Sequence, residues 1–471
     1  MNFNKLNLNE DSIFKIIATF QLLIYFVIML FLYCNISATV PDELWFLDII
    51  KQQSLNNFKD YIFIQNYLGY GALYWSFVAI FKKILYLRLI SWMGITIVPI
   101  LIIFILRKLL NTSWLNIVFA IFLYLSIPCV WFTGKVIGPE IYSNTFGVIG
   151  STIFLYFISK KNISIKNNIY LFFSCVLVGI SSGIKAYNIS FGLFVILFFI
   201  LNSIKNKFSL IYMVKRVVLF IAGFISGFLL SNLIIFKSIN TFIANFTQYS
   251  SPFHITQIST VLFKKYIEWD LVNSSGLEYF IIPCITLFLL YLITLICNKN
   301  KVITISSIIS TLFLLLLCSR DRFLGWYLMP LTFFIPLCIP PQKNYFFIVL
   351  VVINVFMMKP FINFQIKTKL ETIYNINNQH IVENITNKYN KLYNDYQPIY
   401  IIDLGLKGIP YSHFDPPLFD TNKKSILYFS EHSKANIQHK RIIEKSLNNN
   451  DTNYKFVTKN DNITVILYKP N

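Results

Sequence analysis

Long apolar runs separated by short polar connections organise most of this chain. Eleven runs approach membrane-spanning length: 14–36, 88–107, 113–132, 141–159, 169–184, 187–203, 217–236, 279–297, 302–318, 324–340 and 344–358. A helix of about 20 apolar residues crosses a hydrocarbon layer about 30 Å thick. Amides and carbonyls inside lipid must bond within their own segment, so these runs are predicted to be helices, not open strands. The run at 169–184 is short for a span. Residues 67–84 are also apolar, but carry Trp75 and several tyrosines and end in Lys82-Lys83. That pattern predicts a helix lying along the membrane surface or dipping into it.

Beyond residue 358 the pattern changes. Asn and Lys rise and the apolar runs shorten. Strand-like pieces occur at 398–404, 425–430, 454–458 and 463–468, with helical stretches around 367–393 and 432–447. The predicted architecture is an all-α polytopic membrane domain of about 11 helices over 1–358, followed by a small extracytoplasmic α/β domain over 359–471.

Composition agrees with that division. Of 471 residues, 56% are hydrophobic and 13% charged, against about 25% charged in soluble domains. The formal net charge is +20. In a soluble chain this would raise nucleic acid as a partner. Here the cations gather in short connections: Arg107-Lys108, Lys160-Lys161 with Lys166, Lys205 and Lys207 with Lys215-Arg216, Lys299 with Lys301, and Lys343. None of these connections holds an acid. That is an orientation signal, so nucleic acid is set aside and this side is taken as cytoplasmic. Part of the excess also suits anionic membrane lipids. An odd number of spans then puts the N-terminus inside and the C-terminal domain outside. The seven cysteines contain no CxxC pair, and the five histidines have no metal-ligand spacing.

The connections on the outer side carry the candidate chemistry. Asp42 and Glu43 follow the first span, in a chain with only 21 acidic residues. A carboxylate at the interface can act as a general base. Pro41 and Asp42 can equally open a helix whose dipole they complement. Pro139-Glu140 has the same two readings at the start of the 141–159 run. Lys185 can hold a phosphate as a point charge or snorkel to the interface, and Arg88 shares that ambiguity. Arg320-Asp321-Arg322, with Trp326 and Tyr327, can clamp a diphosphate and stack on a sugar ring; an internal Arg–Asp pair beside an aromatic belt is the structural alternative. Ser412, His413 and Asp415 are too close in sequence, beside Pro416-Pro417, to form a hydrolase triad. No GxxxxGK[ST], GxGxxG or DxD motif is present.

In their order these features resemble the GT-C class of integral membrane glycosyltransferases, especially the bacterial group related to aminoarabinose transferase and protein O-mannosyltransferases. The resemblance rests on Asp42-Glu43 after the first span, Gly69-Tyr-Gly-Ala-Leu-Tyr74, Arg88-Leu-Ile-Ser91, Pro139-Glu140, Gly183-Ile-Lys185, and Arg322 with Tyr327-Leu-Met-Pro330. It covers roughly residues 10–340. Pro41-Asp42-Glu43 also resembles the GPI mannosyltransferase branch, but that branch's His-Lys-Glu-Glu-Arg-type signature is absent. The resemblance implies transfer of a sugar from a polyprenyl-phosphate-linked donor to a lipid, glycan or protein acceptor on the outer face of the cell (inner) membrane. It implies that Asp42 or Glu43 deprotonates or orients the acceptor. Arg88, Lys185, Arg320 and Arg322 would hold the phosphate, and Glu140 would position donor or acceptor. No cofactor or metal is expected. A transporter or flippase, or a polymerase, of lipid-linked glycans is the alternative. A transporter should place ionisable groups near the midplane, whereas this chain keeps nearly all its charges at helix ends.

Overall fold

The computed structural model describes residues 10–33, 84–125, 127, 130, 139–158, 165–233, 289, 292–293, 301–318, 329–339, 349, 352, 384–385, 387–401, 424–429, 453–459 and 464–470. They fall into two compact units, one helical and one at the C-terminal end.

In the helical unit the elements are α1 (Glu10–Tyr33), α2 (Ile84–Lys108), α3 (Trp114–Leu125), α4 (Pro139–Ile158), α5 (Ile165–Ile184), a 3-10 turn (Ala186–Asn188), α6 (Ile189–Lys205), α7 (Leu210–Leu233), α8 (Lys301–Cys318) and α9 (Leu331–Leu337). Five of these, α1, α2, α4, α5 and α7, are long and apolar enough to cross a membrane. The predicted run at 169–184 begins four residues earlier, at Ile165. Lys215 and Arg216, expected in a connection, lie instead in the second turn of α7. Ser209 starts that helix, accepting from the Tyr212 amide on its hydroxyl and from the Met213 amide on its carbonyl. The turn before it is tight, with Lys207 at φ 54. The predicted surface helix at 67–84 lies almost wholly outside the described residues, as does most of the runs at 279–297 and 344–358.

Helix α1 turns Phe20, Leu23, Val27 and Phe31 outward and buries Ala18, Tyr25 and Met29. This suits a helix with lipid on one side and protein on the other. Its buried side meets α3, which is buried over most of its surface. Pro99 interrupts α2. A proline has no amide hydrogen, so the Ile95 carbonyl one turn earlier loses its helical donor. The Tyr124 hydroxyl donates to that carbonyl at 2.8 Å, and lies 3.4 Å from the Tyr25 hydroxyl. One side chain thereby closes a gap that lipid cannot fill. At the far end of α2, Arg107 stacks on Trp114 and pairs with Asp11 of α1 at 3.7 Å. The start of α1 and the end of α2 therefore lie on the same side of the bundle.

Packing is most extensive where α5 lies between α4 and α7. Small residues allow that approach. A Cβ at Gly179 would fall 2.1 Å from the Phe224 carbonyl oxygen, and one at Gly227 would fall 2.0 Å from that of Val176. Residues 179–183 and 223–227 both read Gly-x-x-x-Gly, a spacing that brings membrane helices close. Helices α6 and α9 join through a ring cluster of Phe191, Phe194, Phe333 and Phe334.

The C-terminal unit contains β1 (Gln397–Ile401), β2 (Ser425–Phe429), β3 (Tyr454–Lys459) and β4 (Thr464–Tyr468), in the order β1-β2-β4-β3. All four lie where the strand-like pieces were predicted. β1 pairs parallel with β2, while β4 pairs antiparallel with both β2 and β3. Ile426, Tyr428, Val465 and Leu467 form its core, against Ile385 and Tyr389 of the preceding helical stretch and Tyr393 and Tyr396 of the turn that follows it. The Tyr428 hydroxyl donates to Asn390 Oδ1 at 2.6 Å. The helical stretch predicted at 432–447 lies outside the described residues.

Candidate functional site

Helices α4 and α5 run antiparallel, and their facing residues pair rung by rung. Near one end, the Ser143 hydroxyl donates to the Ser181 carbonyl at 2.7 Å and the Ser181 hydroxyl donates to the Ser143 carbonyl at 2.6 Å. These reciprocal bonds fix the register of the two helices. Glu140 lies three residues before Ser143, in the first turn of α4, which Pro139 opens with its missing amide hydrogen. Lys185 lies four residues after Ser181, where α5 ends.

The register therefore brings the two charges together. Lys185 Nζ lies 3.1 Å from Glu140 Oε1, and their side chains are only 8% and 9% exposed. Neither is the snorkelling side chain or solvated helix start that either would be alone. Charges buried to this degree are tolerated in an apolar bundle because each neutralises the other. The corner beyond Lys185 is tight. Its amide donates to the Ser181 carbonyl, and its own carbonyl accepts from the Asn188 amide across the 3-10 turn. Asn188 Nδ2 then donates back to the Ser143 hydroxyl. Glu140, Ser143, Ser181, Lys185 and Asn188 thus form one continuous polar cluster.

Arg88 lies at the same end. Helix α2 crosses α4 where a Cβ on Gly94 would fall 2.7 Å from Thr145 Oγ1. The Tyr142 phenol is hydrogen-bonded by Ser91. Both contacts advance along the two helices in the same direction, so Arg88 comes level with the first turn of α4. It is buried to 1% exposure. On the inner side of the cluster, Asn144 Nδ2 donates to Thr332 Oγ1 at 3.3 Å, and Thr332 donates to the Met329 carbonyl at 2.6 Å. The last residues of the Tyr327-to-Pro330 motif therefore abut α4 one turn beyond Glu140.

Three sequence-derived candidates, Arg88, Glu140 and Lys185, are thus gathered at one end of the bundle. Asp42, Glu43, Arg320, Arg322 and Tyr327 lie outside the described residues. Sequence reasoning missed the supporting polar residues Ser143, Asn144, Ser181 and Asn188. Their signal was present: hydroxyls and amides inside apolar helices are costly unless they bond across helices. Chemically, the cluster presents an ammonium held in one orientation by a carboxylate, with a guanidinium level with it. Such an arrangement suits an anion, which would share the ammonium with Glu140.

No family model matches the chain, and no curated protein matches it. Among solved structures, its fold is similar to the crystal structure of ArnT from Cupriavidus metallidurans bound to undecaprenyl phosphate. The TM-score is 0.55 at 11% identity, with 96% of this chain and 97% of that chain covered. This chain is a multi-pass membrane protein with a GT-C-like fold similar to that of ArnT.

Proposed function

We propose that this protein is a membrane glycosyltransferase that moves a sugar from a polyprenyl-phosphate-linked donor to a lipid, glycan or protein acceptor on the outer face of the cell membrane. The buried Lys185–Glu140 pair at 3.1 Å carries the reading. It joins two positions that the GT-C resemblance singles out separately, in a fold similar to that of an enzyme captured with a polyprenyl phosphate.

In this reading the acceptor oxygen or nitrogen attacks the anomeric carbon and the bond from that carbon to the phosphate oxygen breaks. The acceptor proton passes to Asp42 or Glu43, and the electron pair leaves with the phosphate. Arg88, Lys185, Arg320 and Arg322 stabilise the charge that develops there. Glu140 keeps the Lys185 ammonium aimed while the site is empty. Tyr327 stacks on the sugar. The bundle extends to residue 358 with about 11 spans and a cytoplasmic N-terminus, and the domain over 359–471 lies outside.

The test supplies a radiolabelled polyprenyl-phosphate sugar to the purified protein. Asp42→Asn or Glu43→Gln should lower transfer by about 100-fold or more. Transfer unchanged in both variants removes the proposed base. Transport of the labelled lipid with no transfer points to a flippase instead.

A further inference from the structure

The end of the bundle opposite Glu140 and Lys185 holds a further buried cation, besides Arg88 and Lys185, that the proposed reaction does not use. Arg216, in the second turn of α7, is only 9% exposed. Its guanidinium lies over the Tyr212 ring, 5.4 Å from the centroid. Its Nη1 is buried and meets no hydrogen-bond acceptor among the described residues. Among those residues no carboxylate lies within ion-pair distance either. A guanidinium buried in this way is costly unless an anion compensates it.

The neighbouring backbone supplies further donors. Helices α5 and α7 run side by side in the same direction, with Gly223 against the Phe172 carbonyl and Gly227 against that of Val176. Both pairings have the same offset. Carried back two turns, it sets Arg216 level with Ile165, the first residue of α5. The first turn of a helix has amide hydrogens without intrahelical acceptors and a positive dipole end. The last turn of α4 reaches the same level, with Phe157 stacked on Tyr170 at 4.6 Å. The segment joining α4 to α5 contains Lys160 and Lys161 and no acid. Exposed apolar side chains flank the site: Ile211, Val214 and Val218 on α7, and Ile169, Tyr170 and Phe173 on α5. An anion delivered here on acyl chains would find a surface for those chains, whereas a free anion would not.

We propose that Arg216 and the first turn of α5 bind the phosphate of an anionic phospholipid headgroup, with its chains along the outward faces of α5 and α7. The planar fork of arginine suits two phosphate oxygens, and Tyr212 holds it in place. The full-length protein should be reconstituted in bilayers of phosphatidylcholine with or without phosphatidylglycerol, and its retained lipid counted by native mass spectrometry. Wild type is expected to retain phosphatidylglycerol over phosphatidylcholine. Arg216→Gln should weaken that preference by about tenfold, and Arg216→Lys by less. Lys205→Gln, an exposed change on the other side of the same turn, should leave it intact. Equal retention by wild type and Arg216→Gln overturns the proposal. So does an equal loss in Lys205→Gln, which would mean a diffuse basic surface. Protection of wild type against thermal unfolding by inorganic phosphate alone would mean a free-anion site and also overturns it. If Arg216→Gln does not purify folded, Arg216→Lys is compared with wild type on the same scale, and unchanged retention counts against the site.

Discussion

A single buried charge is costly, but a buried pair is tolerated, and Glu140 and Lys185 turn on this difference. Removing one partner strands the other in an apolar bundle. Glu140→Gln or Lys185→Met alone should therefore destabilise the protein by about 3–5 kcal/mol. The double variant should recover much of that loss, because it strands neither charge. Thermal unfolding in detergent measures both, and a double variant that refolds yet fails to transfer sugar separates structural from chemical roles. Tyr124 makes a quieter case. Tyr124→Phe leaves the Ile95 carbonyl without the donor that replaced the one missing at Pro99, and should cost about 1 kcal/mol by the same measurement. Asp395 and Lys424 pair at 3.0 Å on the surface of the C-terminal unit. The Lys424 hydrogen bond lowers the Asp395 pKa, and the Asp395 carboxylate raises that of Lys424. With Asp395 depressed, its contribution is present above the unfolded carboxylate pKa and fades as pH falls through the folded one. With Lys424 elevated, its contribution is present below the unfolded lysine pKa and fades as pH rises through the folded one. An NMR titration of Lys424→Met should show Asp395 moved up toward the ordinary carboxylate range. Glu140 and Lys185 were visible in the sequence as charges at helix ends. That they neutralise each other was not, because 45 positions separate them and only the α4–α5 register brings them together.

At the scale of elements, apolar run length was a good guide to the membrane-length helices. Helices α1, α2, α4 and α5 appear close to their predicted ranges, whether turned mostly outward like α1 or mostly buried like α4. The guide failed at the start of α7. Lys215 and Arg216 look like loop residues in a hydropathy pattern, but the apolar residues 210–214 already belong to α7, which carries both cations inside it, with Arg216 buried. It also failed to predict which helices touch. The Gly-x-x-x-Gly spacings at 179–183 and 223–227 were readable, yet their partners were not. Those contacts are backbone to backbone, so even one methyl group is too large. Gly227→Ala should force α7 away from Val176 and cost about 1–3 kcal/mol, read as a lowered unfolding temperature. Alternation served the C-terminal strands well because their side chains point alternately to opposite faces. It carried no information on pairing, and the parallel β1–β2 contact emerges only in the folded sheet.

For the whole molecule, Asp11 paired with Arg107 and Glu140 paired with Lys185 mark two ends of one bundle. In the orientation we propose, the first pair lies at the cytoplasmic end and the second at the outer end. Single cysteines introduced at positions 11 and 110 should then resist an impermeant thiol reagent in intact cells, while one at position 470 should be labelled. Labelling in the reverse sense would invert the scheme and take the acceptor side with it.

Composition and run length were enough to establish that this chain lives in a membrane as a bundle of helices with a strand-bearing tail. Lipid admits few alternatives, because each segment must satisfy its own backbone. The order of its charged motifs was enough to bring a GT-C-like architecture into view. Which charges meet, which carbonyl Tyr124 rescues and where Arg216 is buried were decided by the tertiary structure. Each depends on the register between helices far apart in the chain, set by small residues and reciprocal serine bonds that a linear pattern does not pair.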